Sequence, residues 1–288
     1  MLDPTFFVYD NESTVDIQLI SQRRRGNVTV KDILYASPQG GYVPAYLLVP
    51  SGDGPFAGLI FVHWGQRDRT EFLEEAITLA EIGILSLCID APFLRPAKLR
   101  APIASKTAAR DLGLQIVADV RRGVDVLMAQ PGLDSQRIGF VGHSYGATNG
   151  GIVAGIEKRI KTYVLMAGYA ATSQVYRVST HPMIAEQRKK TPPAGWERYL
   201  DLIEPLDAIY YIGNTAPASI LFQFAHQDEF VTEEQAQLFF ETASEPKQLR
   251  WYDSSHELNA QARIDRATWL CQELHLGPLP ASIQAKLS

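Results

Sequence analysis

The feature that most constrains this chain is an alternation. Short strand-like runs at 58–63, 84–89, 137–141, 161–166, 218–224 and 248–252, of which Gly58–His63 is continuously apolar, are separated by longer stretches with apolar residues at helical spacing. A run without polar alternate positions is a strand buried on both faces. The stretches at 71–82, 107–129, 145–157, 232–243 and 258–275 supply the covering helices. In 107–129, Val117, Val120, Val124 and Leu127 recur at helical spacing. Gly83 and Gly277-Pro278 stop two of these helices, and Thr232-x-x-Gln235 opens another as a capping box. Such alternation dictates an α/β architecture: a mostly parallel sheet with helices on both faces. Two further strand-like runs, 28–35 and 42–49, flank the turn-rich Ser37-Pro38-Gln39-Gly40-Gly41 and predict an antiparallel hairpin edge. The sheet then has about eight strands. Residues 1–27 read as mixed and polar, with Arg23-Arg24-Arg25 as a solvated turn.

The rhythm breaks at 169–215, too long for a simple connection and therefore an inserted cap with its own helices. All 288 residues are expected to form a single domain containing this cap. Composition excludes other classes. Hydrophobic residues make up 46% and charged residues 20%, which rules out disorder as the main state. The net charge of −5 argues against nucleic acid or an anionic membrane as partner. No secretory leader or spanning run is seen, and Cys88 and Cys271 sit in apolar contexts as buried free thiols, so a cytoplasmic protein is expected. The sequence is compatible with a homo-oligomer. No metal-ligand spacing, phosphate loop or dinucleotide fingerprint is present, so no metal and no cofactor are expected.

Ligands in such sheets bind at the carboxyl ends of the strands. There, Gly142-His143-Ser144-Tyr145-Gly146 fits G-x-S-x-G, between a buried strand and a helix, the context this nucleophile motif requires. The plain alternative is a glycine-rich turn with a capping serine; suitable partners downstream favour a nucleophile. Serine needs a base to take its proton. Of the six histidines, His256 is the best placed, a short loop after the strand at 248–252, where Ser254-x-x-Glu257 also reads as a capping box. The acid that orients it is Asp228, with Glu229 and Asp253 as rivals by proximity. Asp90 ends a strand at the same edge, and Asp134 reads as a turn residue on the opposite one.

With these residues the chain resembles the α/β-hydrolase superfamily, and within it the dienelactone-hydrolase-like and acetyl-xylan-esterase-like members. The likeness runs from about 28 to 276. Its marks are Leu47-Leu48-Val49-Pro50, Phe61-Val62-His63-Trp64-Gly65-Gln66, Asp134-x-x-Arg137-Ile138-Gly139 before the motif, and Asp228 and His256 after it in the order Ser, acid, His. Dienelactone hydrolases proper use cysteine where this chain has Ser144. The resemblance implies an oxyanion hole with one donor at the Tyr145 N–H and another after His63. Where the family has His-Gly-x this chain has His63-Trp64-Gly65-Gln66, so Trp64 is favoured, with Gly65 and Gln66 as alternatives.

His143, Tyr169 and Trp196 are candidates to line a substrate pocket, although aromatic residues at helical spacing also serve as cap core. The loop 91–106 carries Arg95, Lys98, Arg100 and Lys106 and no acidic residue. It reads as a solvated loop, or as a rim attracting an acidic substrate. The function expected is a serine hydrolase that cleaves a small carboxylic ester through an acyl-enzyme. The alternatives are a thioester, amide or C–C bond cleaved by the same residues, or a silent binding module.

Overall fold

The computed structural model describes residues 4–10, 14–101 and 106–288. The strands are β1 (Ile17–Arg25), β2 (Val28–Ala36), β3 (Tyr42–Val49), β4 (Phe56–Val62), β5 (Ile84–Ile89), β6 (Leu133–His143), β7 (Thr162–Met166), β8 (Ser219–Ala225) and β9 (Lys247–Tyr252). The helices are α1 (Leu73–Ala80), α2 (Ala108–Met128), α3 (Tyr145–Ile156), α4 (Thr172–Val178), α5 (Pro182–Lys190), α6 (Pro193–Ile203), α7 (Glu233–Thr242), α8 (Ala260–Glu273) and α9 (Ala281–Leu287).

Among the described residues the strands form one mixed sheet, in the order β1-β2-β3-β5-β4-β6-β7-β8-β9. The pairs β1/β2, β2/β3 and β3/β5 are antiparallel, and from β5 through β4 to β9 the strands run parallel. The apolar runs explain the centre: every residue of β4, β5, β7 and β8 is buried. One face packs a core of Ile60, Leu87, Val120, Phe140, Phe222 and Phe239, among others; the other face packs Leu59, Phe61, Ile77, Leu221 and Leu270. Cys88 and Cys271 are buried free thiols in β5 and α8. No helix among the described residues is long and apolar enough to cross a membrane.

Two expectations change. The sheet has a ninth strand, β1, outside the expected hairpin, and Arg23–Arg25 belong to it rather than to a turn. Its sequence, IQLISQRRR, has no apolar alternation because it buries neither face. The last long helix starts at Ala260, not 258, and its cap is Asn259, whose side chain accepts from the Ala262 N–H; Ser254 caps nothing. The expected capping box at Thr232 and Gln235 is present. Between β7 and β8 lie α4, α5, α6 and short 3-10 turns. These helices gather Ile184, Trp196, Leu200 and Ile203 into a small apolar cluster that also takes in Ala109 at the start of α2.

Candidate active site

The carboxyl ends of β4, β6, β8 and β9 meet below the helices of 169–215. Ser144 sits between β6 and α3 at φ +50°, the left-handed region that costs a non-glycine residue energy. Its neighbours explain the motif. A Cβ on Gly142 would overlap the Gly146 carbonyl, and one on Gly146 would overlap the Val62 carbonyl of the adjacent strand. The turn is pinned by a 2.7 Å bond from the Ser144 N–H to the Met166 carbonyl. Tyr145 begins the helix, so its N–H has no intrahelical acceptor.

His256 and Asp228 come together across two loops. The Asp228 carboxylate accepts the Phe230 and Val231 N–H groups at 2.8 and 3.0 Å, and faces His256 Nδ1 at 2.8 and 2.9 Å. Both side chains are almost fully buried. A carboxylate can only accept, so Nδ1 carries the ring's proton and Nε2 is left as the proton-accepting nitrogen. The two loops are tied by bonds from His226 N–H to the Tyr252 carbonyl and from Gln227 N–H to the Ser254 carbonyl. Phe230 packs on the His256 ring at 4.7 Å and its carbonyl accepts the Tyr169 hydroxyl.

Ser144 and His256 line one cavity of about 380 Å³, which runs from the strand ends into the cap. Its wall is mainly apolar: Phe93, Leu112, Tyr176, Ile184, Ile203 and Leu206 contribute. Asp207 is the carboxylate on this wall. It accepts the Ser173 N–H and hydroxyl, and burial pushes its pKa up from 3.8 to about 6.

The loop after β4 differs from expectation. The Trp64 N–H donates at 2.8 Å to Glu71 Oε2, so it is committed and does not face the cavity as a free donor. The Trp64 carbonyl is held from the other side, by His63 Nδ1 at 2.7 Å and the Arg67 N–H at 3.2 Å. His63 Nε2 accepts the Ala91 N–H, which fixes the tautomer that donates from Nδ1. Pinning that carbonyl fixes the plane of the Trp64–Gly65 peptide, and in a trans peptide the Gly65 N–H points the opposite way. Gly65 and Gln66 both line the cavity.

Of the pocket candidates, Tyr169 lines the cavity, whereas His143 and Trp196 do not. The His143 ring lies buried behind Trp64, stacked on the indole at 5.4 Å. Trp196 is 4% exposed and stacks on Tyr199 and Tyr176, as cap core. Asp90 is not on the cavity wall; it accepts the Arg69 N–H. Nor do Arg95 and Arg100 form a rim, although Phe93 of the same loop lines the cavity. Arg95 is fully buried and bonded at 2.5 Å to Asp119 of α2, and Arg100 folds back on the Arg95 and Phe93 carbonyls. Burial raises the Asp119 pKa and Arg95 opposes that. Residues 102–105 of this loop lie outside the described residues.

Residues that sequence reasoning missed are Glu71, taken only as a helix start, Phe230, Asp207 and the α2 wall at Leu112. Nothing in the linear sequence connects Glu71 to the motif at His143, with which it forms a 2.6 Å contact.

Residues 105–260, more than half of the chain, match the family model described as the prolyl oligopeptidase family. No curated protein matches the chain. Among solved structures, an acetyl xylan esterase from Paenibacillus sp. R4 superposes with a TM-score of 0.77 at 17% identity, covering 93% of this chain and 91% of that one. Acetyl xylan esterase 1 from Thermoanaerobacterium sp. JW/SL YS485 gives 0.76 at 16%, covering 95% and 92%. A cold-adapted esterase from an Arctic intertidal metagenomic library gives 0.64 at 16%, covering 91% and 100%. The fold is the α/β-hydrolase fold.

Proposed function

The chain belongs to the prolyl oligopeptidase family of serine hydrolases, and from that premise we propose that it hydrolyses a carboxylic ester with a bulky apolar acyl or alcohol group. The observation that carries this reading is the His256 ring, bonded through Nδ1 to Asp228, on the same apolar cavity as Ser144 on its strained turn.

In the proposed mechanism His256 Nε2 takes the Ser144 proton as Oγ attacks the ester carbonyl. Asp228 stabilises the imidazolium that forms. The tetrahedral oxyanion is met by the Tyr145 N–H and, as second donor, by the Gly65 N–H, whose direction follows from the pinned Trp64 carbonyl. Gln66 takes the role of rim residue beside it. The imidazolium returns its proton to the leaving alkoxide, and water repeats the sequence on the acyl-enzyme. Tyr169 and the cap wall hold the apolar group and keep bulk water out.

The two acetyl xylan esterases of similar fold are, by name, esterases of acetylated xylan. A cavity of about 380 Å³ is large for an acetyl group alone, which is why a bulkier substrate is proposed here. The test is a panel of p-nitrophenyl esters from acetate to octanoate on wild type and Ser144→Ala. With about 0.8 kcal/mol available per buried methylene, kcat/KM should rise at least ~10-fold along the series. Turnover should vanish in the variant. Flat or falling values with chain length would reject the bulky-substrate reading, and undiminished activity in Ser144→Ala would reject the mechanism. The family name is that of peptidases, so p-nitroanilides of the same acyl groups belong in the panel; faster turnover of these would move the reading to amide hydrolysis.

A further inference from the structure

Behind the cavity lies a polar pair that the mechanism does not use. Glu71, in the turn before α1, and His143, inside the nucleophile motif, are separated by half a sheet in sequence and meet at 2.6 Å between Oε1 and Nδ1. The His143 side chain is 2% exposed and that of Glu71 14%. Each group also holds a backbone atom of a different loop. Glu71 Oε2 accepts the Trp64 N–H at 2.8 Å, and His143 Nε2 donates to the His256 carbonyl at 2.9 Å. The rings of Trp64, His143 and His256 pack on one another with centroids 5.2–5.4 Å apart.

Proton accounting fixes the character of the pair. The His256 carbonyl can only accept, so Nε2 of His143 carries a hydrogen. Nδ1 faces a carboxylate oxygen at 2.6 Å, so one further proton lies between ring and carboxylate, in a charge-assisted bond. A buried acid and imidazole cost desolvation that an apolar pair of the same size would avoid. Their yield is geometric: a continuous chain of bonds from the backbone of the loop after β4 to the backbone carrying the base.

We infer that Glu71 and His143 are positioning residues that hold the oxyanion loop and the general-base loop in one frame around Ser144. The Trp64 N–H is fixed by Glu71, the Trp64 carbonyl by His63, and the Gly65 N–H follows from both. His143 ties the same frame to His256, whose ring then needs only Asp228 to be fully oriented. A displacement of about 1 Å in such a frame costs roughly 10²-fold in rate without weakening substrate binding in proportion.

The test compares Glu71→Ala, Glu71→Gln and Glu71→Asp, each verified as folded by its melting curve, with kcat and KM measured separately. Glutamine keeps every bond: its carbonyl accepts the Trp64 N–H and its amide donates to Nδ1 of a neutral His143. Aspartate keeps the charge but draws the carboxylate back by one methylene. We expect Glu71→Ala to lower kcat by roughly 10²-fold with KM within about threefold, and Glu71→Gln to regain most of that loss. Glu71→Asp should fall below Glu71→Gln, which remains a test should the alanine variant not fold. A folded Glu71→Ala with kcat within about twofold of wild type overturns the inference, as does the reverse order with Asp above Gln. The inference rests on the Ser144 reading, and Ser144→Ala run alongside keeps the two apart. A wild type with no Ser144-dependent turnover overturns that reading, whereas an active wild type indifferent to Glu71 overturns this one.

Discussion

The floor of the site and its roof are built by different physics. On the floor, Ser144, His256, Asp228 and the loop after β4 are held by hydrogen bonds between named atoms, on strand ends buried in the sheet. In the roof, the residues before α4, α5 and α6 supply no side-chain caps, and a small apolar cluster around Ile184, Trp196, Leu200 and Ile203 forms the centre, with a few polar contacts around it such as Ser173 on Asp207 and Arg177 on Glu197. Hydrogen bonds fix direction, and apolar packing fixes volume. Changes on the floor should therefore act on kcat, and changes in the roof on substrate size and local stability.

The largest effect that could break this contrast belongs to Asp228→Asn. The variant keeps the shape but removes the charge and permits the wrong His256 tautomer, so kcat should fall by roughly 10³–10⁴-fold, checked by steady-state kinetics on the best ester. A loss expressed mainly in KM would place Asp228 in binding instead. Next, Trp196→Ala should remove about 3 kcal/mol from the packing of the cap. Hydrogen exchange should show faster opening confined to 172–203, with the floor protected; uniform destabilisation would show that roof and floor unfold as one unit.

Smaller again is Leu112→Trp, which fills the cavity wall. It should lower kcat/KM for the octanoate ester by about 10-fold or more and leave the acetate ester nearly unchanged, a selectivity shift rather than a general loss. The smallest effect is a pH dependence. Burial raises the Asp207 pKa from 3.8 to about 6, so the native state holds this proton more tightly than the unfolded chain. Its contribution to stability is full below about pH 4 and is lost as pH rises through about 6. Asp207→Asn lacks this titration, so its stability relative to wild type should improve between pH 4 and 7 by on the order of 1 kcal/mol, read from melting curves. An unchanged difference across that range would show that Asp207 does not titrate there.

How legible this was in the sequence also divides along the two regions. The parallel strands were readable because burial on both faces leaves an unbroken apolar run, as in Phe56–Val62. Ser144 and Asp228 were nameable because each follows such a buried run at the ligand-binding edge, and His256 because it follows β9, the last strand, at the same edge. β1 was not, since an exposed edge strand has no pattern to impose. The direction of a peptide was equally hidden: nothing in His63-Trp64-Gly65 reveals that Glu71 takes the Trp64 N–H. Arg95 read as a surface charge because its partner, Asp119, lies on a different element. Trp196 read as a pocket wall because an aromatic in a cap is the same letter whether it faces substrate or its neighbours.

The central claim is that Ser144 is an activated nucleophile, and covalent trapping tests it most directly. Wild-type protein treated with a fluorophosphonate should gain the mass of one adduct, located by peptide mapping on Ser144 and absent from Ser144→Ala. A folded wild type that gains no mass, or carries its adduct on another residue, would contradict the account.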